Sequence, residues 1–186
     1  MNHDCPKSGW IPLLYDHTLR LLAQRGVTLM DIAEIAYELQ RPYNEHLKKD
    51  QCLTSVEQVL KKREIQHAII TGIALDVLAE EKRLPNPLQL MMEIDEPLYG
   101  LDEILALSIT NVYGTIGLTS FGYLDKIKIG ILRDLNNRTG NVHVFLDDLV
   151  AGVAAAASAR IAHENPDMER YREEEIDLID KKEEGA

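Results

Sequence analysis

Asp147 and Asp148 stand side by side at the head of an apolar, alanine-rich stretch, and upstream of them Asp125 and Lys128 lie three positions apart. Carboxylates, a lysine and a small-residue helix are the parts of a hard-cation and phosphate site. They supply oxygen ligands for the metal, positive charge for the phosphate, and room for both. Gly152 follows Asp148 by four positions, which places both on one helical face and lets a neighbouring backbone come close beside the carboxylate. The structural alternative is two acids in the first turn of a helix, where its dipole favours them. A second acid pair, Asp102-Glu103, also leads an apolar run (Ile104, Leu105, Leu107, Ile109), and the same alternative applies.

Other polar residues are weaker candidates. Asp76 shares a helical face with Ile65, Ile69, Gly72 and Ile73, so it points among apolar neighbours. A carboxylate there must be hydrogen-bonded, paired or metal-bound. Asp125 and Lys128 could equally form a surface ion pair. Residues 124–140 carry a local charge of +2 in an acidic chain, a landing place for phosphate. His143 precedes the Asp147 helix, while the remaining histidines show no ligand spacing. A Cys-x5-Arg loop, an Asp-x-Asp nucleophile and a glycine-rich P-loop are all missing from the sequence. Phosphate chemistry here would rest on metal and acids.

The elements that must position these residues read as helices. Apolar spacing gives one over Ile11 to Arg25, closed by Gly26. Thr28 with Asp31 caps a second, from Leu29 to Arg41. Ser55-Val-Glu-Gln58 fits a capping box opening a short helix to Lys62. From Arg63 to Arg83 the residues are apolar almost all round, the mark of a buried central helix. A further helix starts near Leu101. Gly114, Gly117 and Gly122 then bend or divide the apolar run that ends at Leu124, and Leu146 to His163 forms the last helix. Val142 to Phe145 is the sole short candidate strand. The expectation is an all-α single domain over residues 1–164, with six or seven helices around residues 63–83, followed by an acidic tail over 165–186.

Bulk properties exclude several classes. The net charge of −11 argues against nucleic acid and against general adhesion to anionic lipid. Cys5 and Cys52 have no paired spacing, so a disulfide framework is not expected and a reducing compartment fits best. No secretion signal opens the chain and no transmembrane segment is expected, which suits a cytoplasmic protein, with peripheral contact at the inner face of the membrane left open.

The succession Leu101-Asp-Glu103, Leu124-Asp125-x-x-Lys128, Gly140 and Leu146-Asp-Asp-Leu-Val-Ala-Gly152 resembles bacterial phosphatidylglycerophosphatase A. It is closer to the short, soluble, Firmicute-type relatives, whose central helix is similar to Thr71-Gly-Ile-Ala-Leu-Asp-Val-Leu78. That similarity spans most of residues 13–163, and similarity to the membrane-embedded enzymes spans about 80–152. Ile129 stands where the family has proline, and the Gly-Thr-x-Gly-Ser loop of the membrane enzymes has no counterpart. The resemblance implies a Mg2+-dependent hydrolase that removes the terminal phosphate of phosphatidylglycerophosphate in phospholipid biosynthesis. Asp102, Glu103, Asp125, Asp147 and Asp148 would hold one or two Mg2+ ions. Lys128 would neutralise the phosphate, and Asp125 and Asp148 would join it in catalysis. The partner would then be a phosphate-bearing lipid or small molecule, with a homo-oligomer left open. Two alternatives stay beside this reading. One is a non-catalytic helical regulator that keeps the scaffold. The other is an all-α nucleotide pyrophosphohydrolase, for which Glu34 and Glu38 are spaced by four instead of three.

Overall fold

A computed structural model describes residues 10–97, 99–137 and 141–164. Among them are nine α-helices and one 310 turn, and no strand: α1 Trp10–Gln24, α2 Leu29–Gln40, α3 Lys49–Leu60, α4 Arg63–Glu80, α5 Leu88–Glu93, α6 Leu101–Thr110, the turn Asn111–Tyr113, α7 Gly114–Ile127, α8 Ile131–Asn137 and α9 Leu146–Glu164. The all-α, single-domain expectation holds. Two of the additional helices, α5 and α8, have six and seven residues, too few for a periodic pattern to stand out. The expected tail over 165–186 lies outside the described residues.

Local chemistry explains the boundaries. Gly26, at φ +78°, ends the turn after α1. Thr28 caps α2: its hydroxyl accepts the Asp31 N–H at 3.2 Å, and the Asp31 carboxylate takes the Thr28 N–H at 2.8 Å. The third helix corrects the sequence reading, because it starts at Lys49, where the Gln51 side chain accepts the Lys48 N–H. Ser55 is no cap; it is buried in mid-helix and donates to the Ala157 carbonyl at 3.0 Å.

The helix at the centre is also a correction. α4 keeps an exposed face (His67, Thr71, Ala74), so residues 63–83 form a peripheral wall. The enclosed helix is α9, buried at every residue from Leu146 to Ala159 and packed against α2, α3, α4, α6, α7 and α8. Its alanines and Gly152 present so little side chain that neighbours close in from all directions. A Cβ on Gly152 would lie 3.1 Å from the Ala106 carbonyl oxygen. Gln40 donates to Ser158 at 2.8 Å and so ties α2 to the far half of α9.

α6 and α7 form an antiparallel hairpin on α9. Ala106 meets Gly152, the Tyr113 corner lies near Arg160, and α7 returns to the start of α9. The corner turns at Gly114, φ +70°, a conformation open to glycine. By length and composition Leu101–Ile127 could cross a membrane, yet it is bent at this corner, and 28% of its most apolar window is buried. The sequence leads to no expected transmembrane segment, and this bent run is the one described segment with the length and composition of a span.

A candidate metal and phosphate site at the head of the buried helix

The backbone leading into α9 is satisfied by side chains. Arg25, on the turn after α1, makes a two-pronged pair with Glu80 at 2.6 and 2.9 Å. Arg25 also donates to the Val142 carbonyl, and Glu80 accepts the Val142 N–H at 2.8 Å. Asp76 then accepts the N–H groups of Phe145 and Leu146 at 3.1 and 3.0 Å. Val142 to Phe145 is therefore no strand; the side chains of Arg25, Glu80 and Asp76 take up polar groups at its two ends. Burial raises the Asp76 pKa to about 8 despite the two N–H donors. Burial also opposes ionisation of Glu80, but the Arg25 guanidinium and the Val142 N–H hold it below the ordinary carboxylate range.

This scaffold fixes the first turn of α9, where Asp147 and Asp148 project. The end of α7 comes to meet them. Lys128 closes that helix in a left-handed conformation (φ 49°, ψ 64°), a strained state that costs on the order of 1 kcal/mol. Its Nζ lies 2.8 Å from Asp125 Oδ1, 2.9 Å from Asp147 Oδ2 and 3.3 Å from Asp148 Oδ1. Three carboxylates from two helices thus meet on one ammonium. Gly72 permits the close approach of α4 to the same turn, since a Cβ there would lie 2.9 Å from Phe145 Cβ.

The electrostatics are uneven. Burial raises Asp148 to about 7, and the Asp147 charge pushes further upward against the pull of Lys128. Asp147 is raised by burial as well, partly offset by Lys128. For Lys128, burial works against the charge, yet Asp147, Asp125 and Asp148 prevail and lift its pKa above the usual lysine value. The ammonium stays protonated at any physiological pH.

Asp102, at the head of α6, is near enough to contribute to the rise of Asp148. Its Oδ1 is buried without a hydrogen-bond partner among the described residues. Glu103, one position on, is exposed, and no described contact brings it to the cluster. Among the described residues no three carboxylate, imidazole or thiolate groups surround a common point that a cation could fill. The point of convergence is the Lys128 ammonium itself. The donor chemistry nonetheless suits a hard cation: four carboxylates against one lysine, with one buried oxygen unpartnered.

Beside Asp147 opens a cleft of about 200 Å³ with Asp95, Asn141 and His143 on its walls. His143 thus reaches the edge of the site, where it also lies near Arg25. Sequence reasoning missed Arg25, Glu80 and Asp95. The first two are long-range partners, and Asp95, at φ +49°, sits in a turn with no motif. Glu34 and Glu38 are exposed and paired with Lys49 and Arg41, at 2.7 and 3.1 Å, apart from the cluster.

The sequence and the fold have known relatives. Protein YpjQ of Bacillus subtilis is 55% identical over 162 residues, which cover 87% of this chain and 92% of YpjQ. Protein YutG of the same organism is 57% identical over 143 residues, 76% of this chain and 86% of YutG. The crystal structure of YpjQ matches with a TM-score of 0.82 over 86% of this chain and 99% of that one. That of the low temperature requirement C protein from Listeria monocytogenes matches at 0.80, with 53% identity over 83% and 98%. The family model for phosphatidylglycerophosphatase A matches residues 19–163, a span that contains every site residue described above. The chain belongs to the phosphatidylglycerophosphatase A family.

Proposed function

We propose that this protein is a Mg2+-dependent phosphomonoester hydrolase that acts on a lipid-borne phosphate of the phosphatidylglycerophosphate kind. The observation that supports this most is the meeting of Asp125, Asp147 and Asp148 on Lys128, at the head of a buried helix in a chain of this family. Asp125, Asp147 and Asp148, with the unpartnered Asp102 oxygen, are the groups that would hold Mg2+. Bound there, the ion would supply a positive charge for the phosphoryl oxygens and acidify a water. Glu103 stays outside this set because no described contact brings it to the cluster.

The chain's own contributions follow from the geometry. Lys128 carries a permanent charge next to the carboxylates and binds the phosphate as its counter-ion. Asp148 orients the attacking water and takes its proton as the new O–P bond forms. The ester O–P bond breaks and the leaving alcohol takes up a proton. Asp76 and the Arg25–Glu80 pair touch no substrate; they hold the α9 turn in place.

Phosphate release with Mg2+ tests the proposal on phosphatidylglycerophosphate, soluble phosphomonoesters and nucleotides. The lipid phosphate should be hydrolysed, and Asp148→Asn should lower kcat by roughly 100-fold or more. Mg2+ should raise the melting midpoint of the wild type and leave that of Asp148→Asn unmoved. A second reading is a non-catalytic member that keeps the scaffold, favoured by Ile129 in place of the family proline and by the ammonium at the centre of the cluster. No turnover of any substrate and no Mg2+ shift would select it.

A further inference from the structure

Of the twelve large hydrophobic residues that stand exposed among the described residues, ten lie between Leu90 and Ile127. Seven belong to the α6–α7 hairpin, with Ile104 at 60%, Leu101 at 56% and Tyr123 at 54% exposure. From Ile104 to Leu124 not one of twenty-one residues is charged, whereas a chain with 27% charged residues would place about six there. The inner face of the hairpin is accounted for by α9. Its outer face, where Ser108, Asn111, Thr115 and Thr119 stand among the Leu, Ile and Val side chains, has no partner among the described residues and continues into a furrow of about 730 Å³ where Ile116 and Tyr123 of α7 face Leu39 and Tyr43.

We propose that this outer face docks on the surface of a phospholipid bilayer and delivers the candidate site to lipid phosphates. Three features favour lipid over a second copy of the chain. The first is position. The hairpin begins at Asp102 and ends at Asp125 and Lys128, so its two open ends flank the site and its corner lies at the far end of α9. Lipid beneath the hairpin would bring phosphates to the mouth of the site, whereas a second protein seated there would cover it. The second is charge. An acidic molecule of net −11 is repelled by anionic surfaces, and the acid-free strip from Ile104 to Leu124 is the part it can lower into headgroups while Glu103 and the furrow's Glu38 stay at the edges. Lysines stand at both ends of the strip for lipid phosphates: Lys62 above the Tyr113 ring at 4.7 Å, and the exposed Lys126. The third is composition. The face offers Leu, Ile and Val flanked by the exposed Tyr43 and Tyr123, and tyrosine suits the boundary between acyl chains and water.

The choice of lipid as occupant rests on the proposed phosphatase reading, but its test does not need turnover. Wild-type protein should float with phosphatidylcholine vesicles, with binding little changed by salt because burial of apolar surface drives it. The double variant Ile104→Glu/Leu118→Glu should bind vesicles roughly tenfold less or worse. It should keep the wild-type melting midpoint and the wild-type rate on a water-soluble phosphomonoester. Met30→Glu, on α2 and exposed outside the hairpin, should float as the wild type does. Undiminished flotation of the double variant would overturn the proposal. So would a wild-type dimer that binds no vesicle and that Ile104→Glu splits into monomers, since the face would then belong to a second copy. Failure of the phosphatase reading appears separately, as absent hydrolysis by a protein that still floats.

Discussion

Lys128 settles the state of the site when no other cation is present. Its ammonium is the shared partner of three carboxylates, so removing it leaves buried like charges facing one another. Lys128→Met should destabilise the fold by about 2–3 kcal/mol at pH 8 in chelator, measured by denaturant melts. Mg2+ or acidic pH should restore most of that loss. The wild type should show a related dependence on pH. Asp76 and Asp148 hold their protons to about 8 and about 7 because of burial, while the unfolded chain releases them near 4. The folded state therefore binds more protons between those limits, and stability should fall as pH rises from about 5 to 8. Glu80, held below its ordinary pKa, acts oppositely, and its contribution is lost only as pH falls below that range. A melting midpoint that climbs from pH 5 to 8 would refute this assignment. At this scale the sequence is readable where residue type and order carry meaning, as for Asp125, Lys128, Asp147 and Asp148, which the structure brings together. It was not readable where a role depended on a partner far along the chain, as for Arg25 and Glu80, 55 positions apart.

Among the elements, the start of α9 governs everything near it. Asp76 receives two N–H groups of that turn, so α4 dictates where the site carboxylates project. In Asp76→Asn one oxygen remains to accept, and the amide nitrogen faces the other donor. Such a lost bond to a buried group costs about 1–3 kcal/mol, to be read from the urea midpoint. The variant should also weaken the Mg2+ shift although Asp76 is no ligand. An unchanged midpoint would show that the carboxylate is not the cap. The sequence placed this acid on the buried face of α4 but left its partner open, because the cap joins residues about 70 positions apart. Helix starts at Leu29, Arg63, Leu101 and Leu146 were legible through caps and periodicity. The centre is not legible in the sequence, since alanine is a weak signal in an apolar pattern, and only the approach of neighbours makes α9 the core. Ser55 misled for a similar reason: a capping pattern at mid-helix is indistinguishable in sequence from a hydroxyl that bonds across the core.

At the scale of the whole molecule, charge is distributed unevenly. Residues 166–186 carry nine acids against four bases, a large part of the net −11. Their repulsion reaches about one Debye length, ~8–10 Å at ordinary salt. Deleting Pro166 to Ala186 should leave the melting midpoint in place and increase binding to anionic vesicles at low salt, as flotation would show. Loss of folding would mean that this segment is part of the domain's structure. The alanine walls of α9 bear on how such a molecule can change over generations. Surrounding helices rest almost directly on its main chain, with oxygen and Cβ of Ala106 both within 3.5 Å of where a Gly152 side chain would begin. There is no slack for α9 to absorb a larger residue alone. A methyl gained on this helix must be matched by one lost on a neighbour, so that its variation has to be inherited in pairs, and each unmatched step would displace the carboxylates at its head.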